Sequence, residues 1–378
     1  MPNINPIILS GGGGSTPGWT PPADVQTVVD NAFALISSGE NKFVALYMAY
    51  PDIENYIAFR VYFSGTGTVD FGDGSAASSV TSGTVKEAVL DYANIPGGVI
   101  SSLGAKLAVV EFEATGDITD IRFNEWHSTL GTKSIAVQNW YAAKCCTNTT
   151  TFTRIFALIE RMMILDIDKP IATAFGLPYN CKKLTWAGMS ITGSNNWASS
   201  MFRFCNQLNS LFFSTDDLAS LPWSQTNTMQ YCFQEVHSAL PMNFEVDIDN
   251  CTSLLSAWLA CYAFSIIKLG NTGNVATILK AIYASGVEVF EMDDASGVTT
   301  TTNFIRPLAQ YNVLKRLILT GLTVGIDISY SPIGFDNMNV LYNSIGTVPA
   351  GSQTLIVTGC LSSGTVAIAT AKGWNVTT

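Results

Sequence analysis

Apolar positions along the chain follow two rhythms, and the change from one to the other divides the sequence. Residues 42–50, KFVALYMAY, and 56–63, YIAFRVYF, are β-branched and aromatic runs closed by Pro51 and Asp52 and by Ser64, Gly65 and Gly67. Runs of this kind between turn residues predict strands. Two more strands are predicted over 67–71 and 83–91. Ahead of them, Val25, Val28, Val29, Ala32, Phe33 and Ile36 share one face of a helix predicted from Asp24 to about Ser38. In VDFGDGS, residues 69–75, Gly72 and Gly74 permit positive φ while the aspartates bond nearby amides, which predicts a tight hairpin. Asp70 and Asp73 lack a third ligand and fit turn chemistry better than calcium.

Past residue 98 a longer period takes over. In MFRFCNQLNSLFF, residues 201–213, Phe202, Cys205, Leu208 and Phe213 stand at −9, −6, −3 and +2 from Leu211. The same offsets give Phe156, Ile159, Met162, Leu165 and Ile167, then Phe175, Pro178, Cys181, Leu184 and Trp186. They recur as Trp258, Cys261, Phe264, Ile267 and Leu269, as Ala281, Ala284, Val287, Phe290 and Met292, and as Leu308, Tyr311, Leu314, Leu317 and Leu319. A seventh unit keeps Phe244 and Val246 but has an irregular lead-in over 231–240. Degenerate units are expected at Val110 with Phe112, Ile135 with Val137 and Leu355 with Val357.

The paired apolar residues at the end of each unit put two side chains on one face of a short strand, and the positions at intervals of three put others on one side of a helix or loop leading into it. One such unit cannot bury both faces alone. Stacking neighbours makes a parallel sheet with strands about 4.8 Å apart, helices behind it and a continuous core between. The residue between the two core positions then points outward, once per coil. Those residues are Asp166, Thr185, Phe212, Glu245, Lys268, Glu291 and Ile318, and they form the candidate binding face.

The run MFRFCNQLNSLFF closely resembles the MFxxCxxLxxLxL of irregular leucine-rich repeats in bacterial surface proteins. The terminal NVLYNSIGTVPAGSQTLIVTGC, followed by AIATAKGWNVTT, looks like the last repeat and cap of such proteins, with a short helix at Ala367 to Lys372 and a last strand at Trp374 and Val376. VDFGDGS resembles the turn signature of PKD-type β-sandwich modules, with Phe71 in place of tryptophan. Together with WTPPADV at 19–25, the combination resembles virion structural proteins of tailed bacteriophages. The expected class is therefore α/β, with an extended N-terminal arm at 1–23, a small β-sandwich at 24–98 and a leucine-rich-repeat-like parallel-strand solenoid with a C-terminal cap at 99–378.

Composition narrows the function. Only 13% of residues are charged and 47% are hydrophobic, so much of the surface is uncharged and suited to cover by partners. A net charge of −10 argues against a nucleic-acid ligand, which needs clustered Lys and Arg. No apolar run is long enough to span a membrane, and MPNINPIILSGGGG has no basic segment of the signal-peptide kind. Synthesis in a host cytoplasm is the expectation. Cys205, Cys232, Cys251 and Cys261 fall among apolar residues and read as buried thiols. Cys145 and Cys146 are adjacent, which is no zinc spacing, and His127 and His237 have no second ligand near them in the sequence, so no metal or other cofactor is expected.

No nucleophile elbow, phosphate loop, dinucleotide fingerprint or zinc-protease motif occurs. Trp186 and Trp258 occupy core offsets, which favours packing over glycan stacking. The expected function is a non-enzymatic structural or adhesion component of a phage virion, present as a homo-oligomer or in many copies. Residues 1–23, with Ile7, Ile8, Leu9 and Trp19 as apolar anchors, would hold other virion proteins. The solenoid would face a host-surface glycan or protein, or a neighbouring virion protein. The alternatives are a bacterial cell-surface adhesin and a glycan-degrading tail spike, the latter because Asp166, Asp168, Glu245, Asp247, Glu291 and Asp293 lie on or just after predicted strands.

Overall fold

In the computed structural model the described residues are 23–37, 39–123, 125, 127–129, 131, 138–146, 151–153, 164–167, 173–175, 188–189, 198–205, 221, 223–237, 242–306, 308 and 312–378. They are mostly β with few helices. The chain divides into two compact units, Met1–Ser194 with Cys205–Leu208, and Asn195–Phe204 with Asn209–Thr378.

The first unit opens on helix α1 (Ala23–Phe33), which buries Val25, Val29, Ala32 and Phe33. Strands β1 (Lys42–Ala49), β2 (Asn55–Phe63), β3 (Gly67–Asp70), β4 (Ser78–Val80), β5 (Val85–Leu90), β6 (Lys106–Ala114), β7 (Ile118–Arg122) and β8 (Trp140–Cys146) follow. After these come β9 (Thr151–Thr153), β10 (Ile164–Ile167), β11 (Thr173–Phe175) and β12 (Gly188–Met189). One sheet runs β12-β10-β8-β1-β6-β3-β4, a second runs β5-β2-β7, and β9 pairs with β11. Phe43 and Phe112 of the first sheet meet Phe59 of the second around Phe123 and Trp140, with Phe43 5.4 Å from both Phe112 and Phe59. All five rings are fully buried. Aromatic pairs at these separations add to what area burial alone contributes.

Three expectations change here. VDFGDGS does not close a tight hairpin, because seven residues separate β3 from β4. Its aspartates do bond nearby amides: Gly72 N donates to Asp70 Oδ1 at 2.8 Å and Ser75 N to Asp73 Oδ1 at 3.0 Å. Gly72 is required there, since its φ is +68° and a Cβ would fall 2.2 Å from the Val109 carbonyl oxygen. The antiparallel sheets also continue past residue 98. Val110 and Phe112 are not a repeat strand: they lie on β6, antiparallel to both β1 and β3. Pairing changes sense at β8, which is antiparallel to β1 and parallel to β10.

In the second unit β13 (Met242–Asp247), β14 (Phe264–Gly270), β15 (Val289–Met292) and β16 (Arg316–Leu319) pair in sequence order, all parallel. A second parallel sheet holds β17 (Ile326–Asp327), β18 (Thr354–Ile356) and β19 (Asn375–Thr377). Helices α2 (Phe335–Ser344) and α3 (Ala367–Ala371) accompany it. The expected final helix and strand are thus present, with Trp374 buried and its indole Nε1 donating to Gly346 O at 2.8 Å.

Behind β13 to β15 the predicted helices are replaced by runs of turns. Residues four apart are left-handed: Tyr231 and Glu235 (φ 58° and 55°), Ser256 and Ala260 (53° and 52°), Lys280 and Ala284 (both 54°). Alternate amides donate to the next coil instead of to their own turn. Examples are Phe233 N to Ala257 O, and Trp258 N to Ala281 O, both at 2.8 Å. These segments satisfy their backbone between coils, as strands do, and so need no helix.

The positive-φ residues also correct the repeat alignment by one position. Ala284, expected to take the core place of Cys205 and Cys261, is half-buried, and Ser285 beside it is buried with its hydroxyl donating to Ile282 O at 2.8 Å. Leu308, another expected core residue, is 44% exposed. The irregular lead-in is regular in space: Phe233 stacks on Phe202 at 5.4 Å and on Trp258 at 6.1 Å. Inward rows of the sheet, Phe244, Ile267, Phe290 and Leu317, close the same core, with Phe233 5.3 Å from Phe244 and Trp258 6.2 Å from Phe290.

Candidate functional site

Parallel pairing without a register shift along β14 to β16 carries each outward residue into line with its neighbour. Glu245 opposes Lys268, Lys268 opposes Glu291, and Glu291 opposes Ile318. Four residues of the candidate face are therefore one row across the open side of the sheet, at the strand spacing of about 4.8 Å. Asp166 lies elsewhere, on β10 in the first unit, where its register partners are Lys144 and Gly188. Thr185 and Phe212 fall outside the described residues, as do the arm residues Ile7, Ile8, Leu9 and Trp19 and the expected unit at Ile135 and Val137.

The charges of the row are paired, one pair lying within it and the other supplied by Arg316, two residues before Ile318 on β16. Lys268 Nζ lies 3.2 Å from Glu245 Oε1, and Arg316 Nε lies 2.7 Å from Glu291 Oε1. Lys268 and Glu245 are 43% and 49% exposed, so water screens the pair and it adds less than about 1 kcal/mol to stability. Its effect is to set an alternating pattern of charge.

A groove of about 770 Å³ runs along this face. Besides the row, its walls include Asp247, Gly270, Asp293 and Thr320, one step further along the same strands, and Leu221, Trp223 and Asp249 at one side. A Cβ on Gly270 would fall 2.0 Å from Asp247 Oδ1, so the absence of a side chain on β14 makes room for the Asp247 carboxylate. Asp293 is anchored. Its carboxylate accepts from Asn271 N at 2.8 Å and from Thr272 N and Oγ1 at 3.1 and 2.8 Å. Partial burial would raise its pKa, but the bonds from the Thr272 hydroxyl and the Thr272 and Asn271 amides outweigh that and hold it below the usual carboxylate value.

The sequence named Glu245, Lys268, Glu291 and Ile318 for the outward row and listed Asp247 and Asp293 among strand-end carboxylates, but it did not set Gly270 and Thr320 beside them or anticipate the groove. Gly270, Asp293 and Thr320 follow the core pair by one residue in their coils, and only the observed register aligns them with Asp247. Cys251 and Cys261 are buried, with thiols pushed up to about 11 and about 12 chiefly by burial, a setting that disfavours the reactive thiolate. Trp223 and Trp258 are buried in the core. Among the described residues, no group of three or more His, Cys, Asp or Glu side chains could hold a metal ion, and no helix is long and apolar enough to cross a membrane.

No protein-family model, no curated protein and no solved structure matches the chain.

Proposed function

We propose that the chain is a non-enzymatic structural and adhesion component of a tailed-phage virion, in which leucine-rich-repeat-like coils form a solenoid. The open strand face of that solenoid meets a host-surface glycan or protein, or a neighbouring virion protein, and residues 1–23 anchor the chain to the particle. One observation carries the adhesive part: Glu245, Lys268, Glu291 and Ile318 stand in register, one per strand, along an open groove. A rigid sheet that repeats an outward position at fixed spacing offers many small contacts to one surface. Several copies on one particle would multiply them through effective concentration. The virion setting rests on the sequence resemblance.

The test is binding of the labelled full-length chain to isolated envelopes from a panel of bacteria, with release of reducing ends from envelope polysaccharide measured in the same samples. The expected result is binding to at least one envelope, weakened about tenfold or more in the double variant E245K/E291K, with no release of reducing ends. Polysaccharide cleavage that disappears in Glu245→Ala or Glu291→Ala would replace this reading with the glycan-degrading spike. Deleting residues 1–23 is expected to abolish incorporation into particles while leaving envelope binding intact.

A further inference from the structure

The two outward sides of the coils in the second unit differ in charge and in chemistry. On the strand side, the charges of the first row are neutralised, Glu245 by Lys268 within the row and Glu291 by Arg316 beside it. Those of the next row are not. Asp247 and Asp293 share it with Gly270 and Thr320, and Asp249 lies beside it. Among the described residues none of these three carboxylates has an ion pair. Asp293 is held as an anion by neutral donors alone.

The turn side has the opposite character. Residues 251–263, which form one whole run of turns, contain no charged side chain and leave Tyr262 44% exposed. The next coil places Lys280 Nζ 5.9 Å from the Tyr283 ring centre, and the one after it places the Arg306 guanidinium at 5.9 Å from the same ring. Tyrosine and arginine on a surface with few charges of its own have the composition of an interface core. Both sides belong to the same coils, back to back across the Phe233, Phe244 and Trp258 core.

We propose that the turn face of one copy, through Lys280, Tyr283 and Arg306, docks on the acidic strand-side groove of a second copy, against Asp247 and Asp249. This rests on the reading of the strand face as a binding surface and names its partner. The contact joins two different patches, so each docked copy presents both patches again, and the association propagates unless its rotation closes a ring. Cationic heads reach the unpaired carboxylates while their aliphatic stems, with Tyr283, lie along the apolar part of the groove.

The experiment is sedimentation velocity of the full-length chain across a concentration series, in low salt and in about 0.5 M NaCl, which shortens the screening length to a few ångström. Wild type is expected to assemble with rising concentration and to dissociate in high salt. The reversals D247K/D249K and K280E/R306E are each expected to sediment as monomers with unchanged circular dichroism. Mixed one to one, they are expected to regain concentration-dependent assembly, because the unaltered turn face of one fits the unaltered groove of the other and the two reversed faces are themselves of opposite charge. Should a reversal fail to fold, D247N/D249N and K280Q/R306Q take its place, with assembly expected to weaken about tenfold. A wild-type chain that stays monomeric throughout, or assembly that survives both reversals, would overturn the proposal. If envelope binding persists in K280E/R306E while no variant affects assembly, the self-docking fails and the adhesive reading stands. Assembly driven by these faces without envelope binding would support the self-docking and remove the adhesive reading.

Discussion

Phe59 and Trp258 have similar surroundings, each fully buried among other aromatic rings, yet they reach those surroundings by different routes. Around Phe59, strands distant in the chain are brought together antiparallel, as when β1 pairs with β6. Around Trp258 each strand pairs with the next in sequence, Phe244 with Ile267 and Ile267 with Phe290, 23 residues apart each time. The first arrangement makes a core and leaves neighbouring outward positions unrelated. The second makes a core and also copies every outward position into a row. Binding surfaces made of aligned groups are therefore a by-product of parallel pairing between successive strands.

Truncation at the two aromatic centres is the most disruptive way to probe this contrast. Trp258→Ala and Phe59→Ala are each expected to cost about 3–5 kcal/mol in denaturant unfolding. Because Trp258 contacts rings in the coils on both sides, its loss should also lower protection from hydrogen exchange across β13 to β15. A Trp258→Ala chain with unchanged protection in those strands would mean that the coils do not support one another.

Backbone conformation separates the units next. Gly72→Ala is expected to cost about 1–3 kcal/mol, because φ is positive and the new methyl group meets the Val109 backbone. Ala260→Gly is expected to act in the opposite direction, raising stability by up to about 1 kcal/mol by relieving a left-handed alanine at φ 52°. A loss of stability at Ala260→Gly would mean that this residue is not left-handed, and the turn ladder would fall with it.

Much of this was legible in the residues. Strands 42–49 and 55–63 follow from β-branched and aromatic runs between turn signals, and the row of Glu245, Lys268, Glu291 and Ile318 follows from counting to the middle of each core pair. What stayed hidden has physical causes. Intervals of three among apolar residues fit a helix and a run of turns equally well, and the left-handed positions are held by Tyr231, Ser256 and Lys280, none of which announces positive φ. Alternation along β6 is the same whether its partners run parallel or antiparallel, so Val110 and Phe112 passed for a repeat strand. Ser285 in the core place expected for Ala284 is a one-residue slip that the left-handed positions of Lys280 and Ala284 reveal.

Charge gives smaller effects. Asp293 has a folded pKa below its unfolded value, near the ordinary carboxylate value of about 3.9. Its contribution is therefore fully present above that value and is lost as pH falls through the lower folded one. Asp293→Asn should lower stability at pH 7, where the contribution of the anion is complete, and flatten the acid limb of the stability curve below about pH 4, where wild type and variant converge. An unchanged acid limb would mean that the Thr272 and Asn271 bonds do not form in solution. Lys268→Ala is expected to cost less than about 1 kcal/mol.

In the proposed function, the strand face of the second unit is the binding surface. Carboxyl footprinting read by mass spectrometry, on the full-length chain free and bound to bacterial envelope, tests it most directly. Glu245, Asp247 and Glu291 are expected to become protected on binding, while Asp52 and Glu113, exposed in the first unit, label equally in both states. Protection confined to Asp52 and Glu113, with the strand-face carboxylates unchanged, would contradict this reading of the strand face.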